Sequence, residues 1–188
     1  HFPKGLDIRS KNYPGSLAQI FDIFLCHGNI DKKLINKNSP ESSCIIVGYP
    51  KYHNLPSKKN PSSLVYKDIG LNPTSRKVVL WVPTYNKIPS EGLLNIETWA
   101  HVLAKLTDEY NVIVRPHPKT LVVYPEISKK LSSLGFYIDK NTDRRMVELY
   151  MTADIVLADY GSSVFSAIYM EKKLILLNLP DTSKYLYK

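Results

Sequence analysis

Ala153–Ala167 reads ADIVLADYGSSVFSA. Ile155–Ala158 is a short apolar run of strand length, and from Ser162 the apolar residues recur at helical spacing up to Lys172. Only Asp159-Tyr160-Gly161-Ser162-Ser163 lies at the turn between them. A second apolar run, Leu174–Asn178, follows the helix. Strand, tight turn, helix and strand in that order make a βαβ unit, which closes right-handed and pairs its strands in parallel.

The same alternation extends upstream. Lys77–Val82 (KVVLWV) is a β-rich apolar run, and Leu93–Leu106 carries Leu93, Ile96, Trp99, Ala100, Leu103 and Leu106 at helical spacing. Val112–Val114 predicts a short strand. Tyr124–Leu134 predicts a helix stopped by Gly135, and Phe136–Ile138 another strand. Asp143 is positioned to cap a helix running to about Thr152. The expected fold is therefore α/β: a Rossmann-like parallel sheet with helices on both faces.

Residues 1–76 differ. Phe21–Cys26 and Cys44–Val47 predict two more strands, and Asn54–Pro61 (NLPSKKNP) a loop. The expected division is 1–50, the end of an N-terminal domain or a connector, and 51–188, a nucleotide-binding domain. Because His1 opens inside sequence of functional character, the chain reads as a fragment of a longer protein.

At 188 residues, 44% hydrophobic and 22% charged, the chain can bury a sizeable core. Its two cysteines, Cys26 and Cys44, are too few for a disulfide framework or a zinc site, which fits a reducing compartment. No apolar run approaches membrane-span length, and no signal peptide is visible. The net charge of +8 is uneven: residues 1–76 hold 11 Lys/Arg against 5 Asp/Glu, and residues 77–188 hold 14 against 12. Such a surface suits polyanions, or simply aids solubility. The aromatics are not interleaved with the cations as base-stacking platforms require, so nucleic acid is not an expected partner.

Ligands of open α/β sheets bind beyond the carboxyl ends of the strands. Those ends carry Pro83-Thr84-Tyr85-Asn86, Arg115-Pro116-His117-Pro118-Lys119, Asp159–Ser163 and Asn178-Leu179-Pro180, and they should share one rim. Gly161 with Ser162 and Ser163 at a helix start can cradle a phosphate; the same serines can also serve as ordinary N-caps. The prolines hold Arg115 and His117 extended, so that their side chains alternate. Arg115 then meets a phosphate or braces its loop. His27-Gly28 after an apolar strand places an imidazole at a cleft or at a helix entry. No Gly-x-Gly-x-x-Gly, Walker loop, Asp-x-Asp or His/Cys ligand cluster is present, so neither a metal nor another cofactor is expected.

KVVLWVPTYN (77–86), NVIVRPHP (111–118) and ADIVLADYGSSVFSA (153–167), with Gly48-Tyr49-Pro50 upstream, resemble the CDP-glycerol glycerophosphotransferases of teichoic-acid and capsule polymer synthesis. The resemblance covers about residues 20–180. It implies a GT-B-like enzyme, with the nucleotide bound mainly by the C-terminal domain. On its motifs His117 and Arg115 match an Arg-x-His pair near the transferred phosphate. Thr84 matches a Pro-Thr-Trp signature in which Tyr85 stands for the tryptophan. Asp159, Ser162 and Ser163 match an Asp-Tyr-Ser-Ser signature that holds the CDP phosphates, with Gly161 as a departure in that turn. The histidine that activates the acceptor is His27, by its following glycine, or His1, by the position of HFPKG in the chain. Gly48-Tyr49-Pro50-Lys51 is similar to a Gly-Tyr-Pro-Arg linker motif, with His53 near the place of its usual acidic residue.

The implied reaction moves a glycerol phosphate, or a similar polyol phosphate, from a CDP-activated donor to a polyol-phosphate or lipid-linked acceptor. The implied location is the cytoplasm, in peripheral contact with the anionic inner face of the membrane. A nucleotide-sugar glycosyltransferase or UDP-sugar 2-epimerase of the same architecture is the alternative enzyme, and a basic nucleic-acid-binding module the alternative class.

Overall fold

The computed structural model describes residues 20–50, 63–72, 75–85, 95–159 and 161–177. His1, His53, Asn54–Pro61, Asn86, Tyr160 and Asn178-Leu179-Pro180 lie outside them. The chain divides into two compact units, residues 1–56 and 57–188.

In the first unit, β1 (Ile23–Cys26) and β2 (Ser43–Ile46) pair in parallel, joined by α1 (Asn29–Asn38). Phe24 and Cys26 point to one face and meet Ile35 of α1 in a small core. Burial and the neighbouring Cys44 push the Cys26 thiol pKa up to about 11, which keeps it protonated.

The second unit begins with α2 (Ser63–Ile69) and then alternates: β3 (Val78–Val82), α3 (Asn95–Ala104), β4 (Asn111–Val114), α4 (Pro118–Val123), α5 (Ile127–Ser133), β5 (Tyr137–Ile138), α6 (Met146–Thr152), β6 (Ile155–Ala158), α7 (Ser162–Tyr169) and β7 (Lys173–Leu176). All five strands are parallel, in the order β5-β4-β3-β6-β7. The central strands β3 and β4 are buried throughout, as a sheet covered on both faces requires. Val79, Trp81, Val112 and Val114 face Ile96, Ala100 and Leu103 of α3 and Ile127 and Leu131 of α5. Strand alternation turns Val78, Leu80, Ile113 and Val156 to the other face, where α6 packs on β3 and α2 on α6. Asp154 sets the register of the central pair: its carboxylate accepts from Val78 N–H at 2.7 Å, and its own N–H donates to Val78 O at 2.9 Å.

Three sequence expectations need correction. The helix expected over 124–134 is the shorter α5, Ile127–Ser133, and an unexpected helix, α4, precedes it, because Pro118 opens a first turn where a missing N–H costs nothing. Asp143 does not cap α6. Arg145 occupies the cap position, while Asp143 closes a turn by donating its N–H to Asn141 Oδ1. The last helix ends at Tyr169 instead of Lys172, and Glu171 there takes a positive φ of 53°.

Leu131 is fully buried between α5 and the sheet. Leu131→Ala should cost about 2–5 kcal/mol, read as a lower urea midpoint with an unchanged m-value.

Candidate functional site

The strand order places a topological switch point between β3 and β6, where the crossovers leave in opposite directions, the position at which doubly wound sheets bind ligands. Two loops lock together there. Asp159, buried just after β6, accepts the Thr84 N–H on both carboxylate oxygens at 3.0 Å each, and the Thr84 hydroxyl on Oδ1 at 2.6 Å. A buried carboxylate needs this compensation, and charged acceptors form the stronger bonds.

Two residues on, Gly161 takes φ +123° and ψ −174°, a backbone region kept almost wholly for glycine. A Cβ at Gly161 would lie 3.3 Å from Thr84 Oγ1, so glycine also permits the close approach of the clamp. Gly161 is the N-cap of α7 and, being glycine, brings no capping side chain of its own. Neither serine holds the cap position, in contrast to the capping alternative. Ser162 and Ser163 are the first two helical residues, so their N–H groups belong to the exposed positive end of the helix. Tyr150 OH donates to Ser163 O at 3.1 Å and Ser166 Oγ to Ser162 O at 3.1 Å, which fixes that first turn.

The β4 loop joins the rim through Tyr85 and His117, whose rings lie 5.6 Å apart at 34°. His117 is the N-cap of α4, and its Nδ1 accepts the Lys119 N–H at 3.1 Å. An accepting Nδ1 places the ring proton on Nε2, so neutral His117 presents a donor. Desolvation, with the nearby Lys119 charge, holds its pKa below the ordinary value.

Arg115 points elsewhere. Its Nη1 donates to Asp139 Oδ2 at 2.7 Å and to the carbonyl of Asn141. Of its two expected roles, bracing is the one its contacts serve. Asp139 also receives Arg144 Nε at 3.2 Å, and Arg144 Nη2 reaches Asp68 at 2.7 Å. Burial works against the Arg144 charge, but the hydrogen bonds and charges of Asp68 and Asp139 outweigh it and raise its pKa. A cavity of about 480 Å³ lies beside this network, along β5. Asp159 is likewise engaged with Thr84, and its negative charge would repel a phosphate; it builds the site by holding a loop.

In the first unit, His27 sits one residue before the Gly28 N-cap of α1. Asp31 Oδ2 accepts both the His27 backbone N–H at 2.8 Å and its Nδ1–H at 2.7 Å, and both side chains are buried. A carboxylate accepts only, so the neutral ring keeps its proton on Nδ1 and turns a basic lone pair to Nε2. Tyr49 packs edge-on at 5.0 Å. The two histidines thus carry opposite tautomers. Asp31 and Asp139 were missed in the sequence. The (i, i+4) spacing of His27 and Asp31 was a usable signal, whereas nothing local pairs Arg115 with Asp139. Among the described residues no group of three or more His, Cys, Asp or Glu could hold a metal ion.

The family model described as CDP-glycerol:poly(glycerophosphate) glycerophosphotransferase matches residues 21–188. The chain belongs to this family. It is 30% identical over 144 residues to the teichoic acid poly(glycerol phosphate) polymerase of Bacillus subtilis, covering 73% of this chain and 19% of that protein. To the teichoic acid glycerol-phosphate primase of the same organism it is 28% identical over 105 residues, covering 56% of this chain and 26% of that one. The solved wall teichoic acid polymerase TagF shares the fold with a TM-score of 0.66 at 18% identity, over 93% of this chain and 43% of its own. The chain therefore spans less than half the length of these relatives.

Gly161→Ala should cost about 1–3 kcal/mol from its backbone conformation, measured by thermal or urea unfolding. The depressed pKa of His117 sets a sign for pH. The folded state resists protonation, so this contribution to stability is present above the ordinary value of 6.5 and is lost as pH falls through the lowered folded value. Urea midpoints measured from pH 8 to 5 should show that loss in the wild type, and His117→Ala should lack it.

Proposed function

We propose that the protein transfers glycerol phosphate, or a similar polyol phosphate, from a CDP-activated donor to a hydroxyl of a cell-surface polymer or lipid-linked acceptor. The observation that carries this is the switch-point rim: an open helix start, clamped by Asp159 and Thr84, linked through Tyr85 to a histidine with a donor on Nε2. Family membership supports the chemistry, as do relatives described as glycerol-phosphate polymerase and primase. On this reading residues 51–188 bind the nucleotide, and residues 1–50 end an N-terminal domain or connector.

The acceptor oxygen attacks the β-phosphorus of the donor. The bond from that phosphorus to the CMP oxygen breaks, and CMP leaves. The acceptor proton passes to a histidine base. His27 has the required tautomer, held by Asp31, and His1 is the competing choice. The amides and hydroxyls of Ser162 and Ser163 and the Nε2–H of His117 meet the charge on the phosphate oxygens. Such catalysis works by positioning and preorganised electrostatics. The chain's own residues require no metal in any of these roles. The net charge of +8 supports contact with polyphosphate acceptors and with the anionic cytoplasmic face of the membrane. Among the described residues no helix is long and apolar enough to cross a membrane.

Calorimetric titration should show CDP and CDP-glycerol binding to this chain, weakened in His117→Ala. Tight UDP-sugar binding with none for CDP would overturn the proposal. In the full-length protein His117→Ala should lower turnover about 10²–10³-fold, the usual cost of one oxyanion donor. His27→Ala and His1→Ala decide the base: the correct one abolishes transfer while leaving CDP affinity unchanged.

A further inference from the structure

Tyr85 carries no role in the reaction as derived so far, yet it is the contact that joins two of the three rim loops. It directly follows Thr84, whose backbone N–H and hydroxyl are fixed on Asp159. Its ring therefore starts from an anchored point. The imidazole it meets is hydrogen-bonded from within its own loop, by the Lys119 N–H on Nδ1, and flanked by Pro116 and Pro118. That bond limits the ring's tilt. The Tyr85 ring lies against the imidazole at 5.6 Å with the planes tilted by 34°.

We propose that Tyr85 is a positioning residue for His117, holding the imidazole so that its Nε2–H faces the donor phosphate. This rests on the proposed transfer reaction for its purpose, and on the ring contact for its geometry. Two effects compete at such a contact. An aromatic face attracts an imidazolium cation, and the same face excludes the water that would solvate it. Burial is the leading cause of the lowered His117 pKa, with Lys119 second, and on the proposed reading the Tyr85 ring supplies part of that cover. Arg115, the other nearby cation, is committed to Asp139. An aromatic ring is the needed feature, and its hydroxyl is not.

The test follows the His117 Cε1–H resonance of this chain by NMR from pH 5 to 8. Tyr85→Ala should move the titration of His117 upward, toward its ordinary value of 6.5. Tyr85→Phe and Tyr85→Trp should keep the wild-type midpoint. Tyr85→Asn, which keeps a side chain without a ring, should behave like Tyr85→Ala and serves if the alanine variant unfolds. CDP affinity should fall up to about tenfold in the ringless variants and less than about twofold in Tyr85→Phe, the range of one aromatic contact. An unchanged His117 titration in both ringless variants overturns the proposal even where CDP binds normally. If CDP fails to bind the wild type, the donor reading falls, and the titration still decides the role of Tyr85.

Discussion

One carboxylate organises the rim. Asp159 stands at the end of β6 and spends its charge on the backbone and hydroxyl of Thr84 at the end of β3. These two strands flank the switch point, where the crossovers diverge. Without the clamp each loop would carry its own conformational entropy, at about 1–2 kcal/mol per residue. With it, the start of α7, the Tyr85 ring and the close approach at Gly161 become one rigid piece.

The two histidines, one in each unit, have separate chemical identities. Their intrinsic acidities are the same, and the sequence around each reads only as a loop after a strand. The difference lies in what meets Nδ1. At His117 a backbone N–H comes in, and the proton moves to Nε2. At His27 a buried carboxylate comes in, and the proton stays on Nδ1. Hydrogen bonding at one nitrogen thus decides whether the other donates or accepts.

Much of this was legible in the residues. Ile155–Ala158 was located to the residue, and β3 and β4 to within one, because continuous branched apolar runs have no other stable use in a chain of this length. The convergence of the three loops also followed, since parallel strands send their carboxyl ends to one side. What stayed hidden depended on partners distant in sequence. Arg115 read as a phosphate ligand or a loop brace with nothing to choose between them, because Asp139, 24 positions away, carries no local mark. Asp159 looked like part of a phosphate cradle for the same reason, its partner being Thr84. Pro118 was assigned to a loop, although a proline opens a helix as readily as it ends one.

Arg115, Asp139 and Arg144 form a buried group in which one carboxylate serves two guanidinium ions. No member can change alone at low cost. Replacing Asp139 would leave two cations facing each other in the interior, and replacing Arg115 would leave the Asn141 carbonyl without its donor. The three positions are thus coupled in energy: the cost of a change at one depends on what stands at the other two. The frame of the β4 loop is therefore set from the buried side, independent of the exposed residues such as His117 and Lys119 that it carries.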